Sequence, residues 1–412
     1  MQRAALLVVG VALSASFAAC SGSGDDASPS TTSGTSVASS SGTGGQGGAG
    51  SSTGPVGSGG AGGGGGSGGH GDEHASTSGG GDAGTGGTGG QGGGCQNLLP
   101  TVTTAPPTLA ETGLYADFAT KAIAPHAREY EPQFPLWSDD AAKRRFVYLT
   151  ECGNVDTSSM DDWQLPVGTR AWKEFSIGGK RIETRFMHRY GPSTKDILYA
   201  TYLWNEAETS ATLLLDGAKN VLGTGHDVPD EVGCKRCHGP SPTKGGQPSR
   251  FLGFGAVQLS HDGAGVTLST LIQEGRLTHP PAGNVTVPGD PVARAALGYL
   301  HSNCGTCHND SPDGLLFPAF DARLRAADLT VEGTGVYTTM VNQPTTLFVN
   351  QGCAYRIAGG NTADSCSVYR MSERGTDGMP NPKQMPPLGS EVVDAAGVGA
   401  LEAWIATLPP PN

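Results

Sequence analysis

The 412-residue chain has no apolar run long enough to cross a bilayer as a permanent helix. It has no basic excess either: 26 Lys and Arg against 38 Asp and Glu leave a net charge of −12, so nucleic acid and anionic surfaces are poor partners. Residues 21–94 are almost wholly Gly, Ser, Thr and Ala with scattered Asp, and hold no hydrophobic set able to offset ordering entropy. That stretch is expected to be a disordered tether with a root-mean-square reach of about 45–50 Å. His70 and His74 within it read as solvated spacers. The remainder, residues 95–412, is long enough to bury real cores. It shows no catalytic signature between residues 143 and 216 and no methionine between His238 and Cys304.

What the N-terminus does contain is Arg3 followed by the apolar run 4–17, shaped like the core of a secretory signal. The run ends in Phe17-Ala18-Ala19-Cys20, which resembles a bacterial lipobox. Residues 1–20 are therefore expected to be a lipoprotein signal peptide, with Cys20 lipidated and only that lipid touching a membrane. The implied location is the periplasmic side of a membrane or the outer-membrane surface. An ordinary signal cut near Ala19, with Cys20 incidental, is the alternative, and it also implies export.

Two copies of Cys-x-x-Cys-His carry the most chemistry: Cys234-Lys235-Arg236-Cys237-His238 and Cys304-Gly305-Thr306-Cys307-His308. At this spacing two thiols can bond the vinyl groups of a haem while the adjacent histidine reaches iron. Two covalently bound haem c groups are expected, held by Cys234, Cys237, Cys304 and Cys307, with iron on His238 and His308. A four-cysteine zinc site or a thiol–disulfide motif could use the same CxxC pairs, but neither needs the following histidine. Nine cysteines then divide into Cys20 for lipid, four for haem, and Cys95, Cys152, Cys353 and Cys366 for disulfides in an oxidising compartment. Three pairings are possible. Cys353 with Cys366 closes a short loop, and Cys95 with Cys152 would pin the start of the folded region.

Between residues 143 and 216 the pattern is strand-like: 146–149, 169–177, a Gly178-Gly179 turn, 180–190, 197–204 and 211–215. Short strands punctuated by Gly, Pro and Asp point to a β-sandwich or jelly-roll-like module. The alternation of Lys180, Arg181, Glu183 and Arg185 reads as one solvated strand face.

Pro135-Leu136-Trp137-Ser138-Asp139, then Lys143-Arg144-Arg145 and Arg181-Ile182-Glu183-Thr184-Arg185, resemble the opening of a family of bacterial di-haem c-type cytochromes. The resemblance runs over about residues 132–408. It implies a β module ahead of two haem sites, and a mixed fold of three parts: a β-rich module at 95–225, a first haem-binding segment at 226–290, and a mainly α, class I cytochrome c-like domain at 291–412. In that last part a helix over 291–300 delivers Cys304, and a helix over 392–408 is expected to cross it near Gly298 and Tyr299. Between them, the Pro-bounded loop Met385-Pro386-Pro387-Leu388-Gly389 can hold a thioether opposite His308, which makes Met385 the expected sixth ligand, with Met379 a second candidate.

Gly223, Gly225, Pro229 and Gly233 argue against a regular helix reaching Cys234. Residues 251–255 and a helix over 268–277 would wall this first site. Without a nearby methionine its sixth ligand is a histidine, water, a remote group or nothing; His226 is the tentative choice, with His188, His261, His279 and His301 as others. Electron transfer between redox protein partners is the expected function. Two alternatives stand beside it. One is a peroxidase-like enzyme with an open first haem; the other is a surface-binding module, for which exposure of Trp137, Trp163 and Trp172 is the thing to inspect.

Overall fold

In a computed structural model, the described residues are 96–193, 195–238, 250–309, 320–345, 352–375 and 383–412. Residues 1–20 with Cys20, the stretch 21–94 expected to be a tether, Cys95 and Met379 lie outside them. No helix among the described residues is long and apolar enough to cross a membrane.

Gly178 and Gly179, at φ +57° and +80°, take the left-handed conformations that a two-residue hairpin requires, and they join the longest strand to the one before it. Strands β1 (Tyr115–Asp117) and β2 (Ala122–Ile123) pair as a small ribbon. Then β3 (Arg128–Glu129), β4 (Ala142–Tyr148), β5 (Arg170–Ile177), β6 (Lys180–Arg189), β7 (Ile197–Trp204) and β8 (Ala211–Leu214) form one six-stranded sheet. Every neighbour is antiparallel and next in sequence, so the sheet is a meander. The strand positions follow the alternating pattern closely.

The fold is thus mixed α/β with an antiparallel sheet; among the described residues the second sheet is only the two-stranded β1–β2 ribbon, not the full partner layer of the expected sandwich. One face carries the registered row Phe146, Trp172, Phe186 and Ala200 and is covered by Leu109, Leu114 and Tyr115 from the preceding segment. Full burial of Trp172 and Trp204 contributes about 4–6 kcal/mol each of transfer free energy before entropy. The other face carries Val147, Ala171, Met187 and Tyr199 and packs on Phe251, Phe254, Leu268 and Leu271. Irregular chain, a short 3-10 turn and the β1–β2 ribbon cover the first face, and helices with irregular chain cover the second.

The helices are α1 (Glu231–His238), α2 (Ala256–Leu259), α3 (Leu268–Gln273), α4 (Pro291–Asn303), α5 (Gly335–Met340), α6 (Cys366–Ser372) and α7 (Ala395–Ile405). Asp290 caps α4 by accepting the Ala293 N–H at 2.8 Å, and Asp394 caps α7 through Gly397 at 2.8 Å. Helix α7 is shorter than expected, although Leu408 beyond its end still joins the same core as Leu297, Leu300, Leu401, Trp404 and Ile405. α4 and α7 pack on each other. The small residue at that contact is Gly397, where a Cβ would overlap the Tyr299 ring; Gly298 instead accommodates Phe134 from the segment before β4.

Candidate functional site

The first Cys-x-x-Cys-His lies on α1, which corrects the expectation that no regular helix reaches Cys234. Pro229 precedes the helix rather than breaking it. Asp230 Oδ1 accepts the Gly233 N–H at 2.7 Å, and Glu231 pairs with Lys235 at 2.6 Å one turn on. Gly233 fits because a Cβ there would stand 2.8 Å from that of Pro229. The helix ends on His238, whose carbonyl accepts the Tyr199 hydroxyl of β7 at 2.9 Å. His238 Nδ1 meets the Arg250 carbonyl at 2.9 Å, which fixes the tautomer with the proton on Nδ1 and leaves Nε2 free to meet a metal. Burial pushes His238 down to about 4 and the Cys234 thiol up to about 11. Cys234 packs against the core containing Phe251, Phe254 and Leu268, so the expected apolar wall is in place, with its helix shortened to α3.

The second Cys-x-x-Cys-His begins where α4 stops. Cys304 is the C-terminal cap, its N–H bonded to the Leu300 carbonyl at 2.9 Å, and its own carbonyl accepts the N–H groups of Cys307 and His308 at 3.0 and 2.8 Å. His308 is 9% exposed, stacks on Phe320 at 3.9 Å, and keeps Nδ1 buried without a partner. Burial, with Arg370 and Arg356 nearby, lowers it to about 4. Met385 is half-buried, and its N–H donates to the Arg370 carbonyl at 2.9 Å, tying its loop to a residue whose charge reaches His308.

These two motifs, 70 residues apart in the chain at their histidines, meet: the Cys237 and Cys307 thiols stand close enough to influence each other's ionisation. That contact, helped by the nearby Arg185 and Lys173, outweighs burial and holds the Cys237 thiol below its ordinary value, while Cys307 is raised. A second link is Asp162, which pairs with Arg250, the carbonyl partner of His238, and with Arg323 at 3.0 Å, beside the Ala322 N–H that bonds the His308 carbonyl. All four motif cysteines are unbridged. Among the described residues no group of three or more His, Cys, Asp and Glu is assembled around a metal position.

The sheet face toward α1 was not legible as such. A bulge between Phe175 and Ser176 shifts the register, so that Arg181 and Glu183, two residues apart, part to opposite faces. Arg181 bonds Glu174 and Glu208 at 2.9 and 2.7 Å on the far face. Glu183, 0% exposed, turns inward to Arg185 at 2.6 Å and to His226 Nε2 at 2.7 Å. The expected solvated face therefore does not exist; only Lys180 of that set is well exposed. His226 is 1% exposed with Nε2 committed to Glu183 and Nδ1 buried without a partner, the arrangement in which a carboxylate orients a histidine and leaves the other nitrogen open.

The other histidines are engaged elsewhere. His188 lies on the far face of the sheet, between the Thr169 carbonyl and the Val102 N–H. His261 bonds the Glu131 carbonyl, His279 is exposed, and His301 Nδ1 accepts the Leu324 N–H at 3.0 Å. Trp163 and Trp172 are buried, and half-buried Trp137 donates to the Val392 carbonyl at 3.2 Å. The Cys353–Cys366 disulfide forms as expected, with Cα atoms 5.2 Å apart; Cys152 is disulfide-bonded too, while Cys95 lies outside the described residues. Two clefts, of about 150 and 240 Å³, are bordered by His126 and Arg276 and by Ile182 and Leu222, and no motif residue lines either. Tyr199, Arg250, Phe175 and Lys173 were missed in the sequence, and Arg185 was read there as part of a solvated face; the alternation of β5 and β6 would have paired Lys173 with Arg185 had the bulge been known.

No protein-family model matches the chain, and no curated protein or solved structure matches it either.

Proposed function

We propose that the protein is a di-haem c-type cytochrome that passes electrons between redox protein partners, exported and held at a membrane by a lipid on Cys20. The observation that carries this reading is the convergence of two Cys-x-x-Cys-His motifs, with Cys237 against Cys307. The donor set fits covalent haem: unbridged thiols at the right spacing, each pair followed by a histidine, buried at His308 and partly buried at His238, and at His238 an Nδ1 tied to a carbonyl. Bound haem would supply a one-electron iron couple. In this reading Cys234 and Cys237 anchor one group with His238 Nε2 toward iron, while Cys304, Cys307 and His308 hold the other. Met385 would offer its thioether to the second group, a donor that raises the potential, and His226 Nδ1 is the candidate further donor to the first. The packing of α4 on α7 supports a class I cytochrome c-like helical domain around the second motif.

The same thiol contact favours one rival, a Cys237–Cys307 disulfide in a thiol-redox protein, because a lowered thiol beside a second sulfur is poised for exchange. A pyridine haemochrome assay with a free-thiol count separates them. Two haems and no titratable thiol at the four positions support the cytochrome; no haem with a disulfide that cycles under dithiothreitol supports the rival. Electron paramagnetic resonance then tests the role. Two low-spin centres fit electron transfer, and one high-spin centre would redirect attention to peroxide turnover at the first haem.

A further inference from the structure

On the sheet face toward α1, Arg145, Lys173 and Arg185 are direct cross-strand partners on β4, β5 and β6. Like charges placed opposite one another destabilise a sheet, and three in a row on a largely buried face need an offset. They also gather in space. The Phe175 ring, itself fully buried, has Arg185 Cζ 4.4 Å, Lys173 Nζ 4.8 Å and Lys143 Nζ 6.0 Å from its centre. Cation–π attraction covers part of the cost. The carboxylates at hand do not cover the rest: Glu183 is committed to Arg185 and His226, Asp139 and Asp140 face Lys143, and Glu131 faces Arg145. Lys173 makes no ion pair among the described residues, and burial and its cationic neighbours hold it well below its ordinary value. Tyr199, on the same face, bonds the His238 carbonyl, so the cluster adjoins the first Cys-x-x-Cys-His.

We propose that Lys143, Arg145, Lys173 and Arg185 form a carboxylate-binding site beside α1. Two sources share that chemistry, the side-chain carboxylates of a haem on Cys234 and Cys237 or a free small carboxylate, and only the first rests on the haem reading. The cations would pair with the carboxylate and relieve their mutual repulsion, and Phe175 would hold them in a dry setting that strengthens each pair.

The test uses the full chain as wild type, Lys173→Gln, the charge-preserving Lys173→Arg, and Lys143→Gln in case the first fails to fold by circular dichroism. Midpoint potentials of both centres and calorimetric titration with succinate are the readouts. If haem carboxylates occupy the site, Lys173→Gln lowers the potential of the first centre only, Lys173→Arg restores it, and succinate gives no heat. If a free carboxylate is the ligand, wild type binds succinate, Lys173→Gln loses at least about tenfold in affinity, and the potentials stay put. No potential shift and no succinate binding overturn the proposal. A chain without haem is recognised by the haemochrome count, which defeats the haem reading, and succinate titration still decides this one.

Discussion

The backbone N–H of Trp137 donates to Oδ1 of Asn303 at 2.8 Å. The segment leading into β4 is thereby fastened to the last residue of α4, directly before Cys304. Two further bonds extend the seam: Asp139 Oδ1 accepts the Val392 N–H at 2.8 Å, and Trp137 Nε1 donates to the Val392 carbonyl. The segment before β4 is consequently held to α4 and to the chain around Val392 by hydrogen bonds between backbone groups and three side chains, Asn303, Asp139 and Trp137.

Removing the Asn303 carboxamide strands the Trp137 N–H in a half-buried setting. Asn303→Ala is expected to destabilise the chain by about 1–3 kcal/mol in urea unfolding. A loss below about 0.5 kcal/mol would show that the bond contributes nothing.

Gly397 is the close point between α7 and α4. Gly397→Ala forces a methyl into the Tyr299 ring and is expected to cost about 1–3 kcal/mol, despite the better helix propensity of alanine. Tyr299→Leu in the same chain should recover part of the loss, so a double-mutant cycle with a coupling near zero would sink this account.

Glu183 is a buried carboxylate between Arg185 and His226. Burial alone would raise its pKa, but those two partners hold it below the usual carboxylate range. Its contribution is therefore present above that range and is lost as pH falls through the depressed value. Glu183→Gln leaves Arg185, 27% exposed, without its countercharge and is expected to cost about 3 kcal/mol at neutral pH. A loss below about 0.5 kcal/mol would mean solvent already serves Arg185.

His188, 1% exposed, is lowered from 6.5 to about 4, chiefly by burial and then by Arg170. Because the folded value is the lower one, the unfolded chain takes up the proton first. Its stabilising effect is complete above about pH 6.5 and declines as pH falls toward 4, by up to about 3 kcal/mol. Urea midpoints measured from pH 8 to pH 4 should fall less steeply for His188→Gln than for wild type; identical slopes would assign the acid sensitivity to other groups.

The strands were legible because a half-buried antiparallel sheet imposes a period of two, and Gly178-Gly179 marks its tightest turn. The core face of α7 was legible from Leu401, Trp404 and Ile405. The sandwich was a misreading, since alternation reveals that a sheet has covered faces but not what covers them. The helix through Cys234 was missed because a glycine lowers helix propensity everywhere, while a cap at Asp230 and the proximity of Pro229 favour it only here.

By itself, then, the sequence determined the strand positions, the two Cys-x-x-Cys-His motifs and the local Cys353–Cys366 bridge, all of which depend on residues close together in the chain. The tertiary structure alone decided that Cys237 reaches Cys307, that one bulge sends Arg181 outward and Glu183 inward, and that four cations surround α1's side of the sheet. Those depend on register and on contacts between distant segments, where a shift of one residue reverses the face of every side chain that follows.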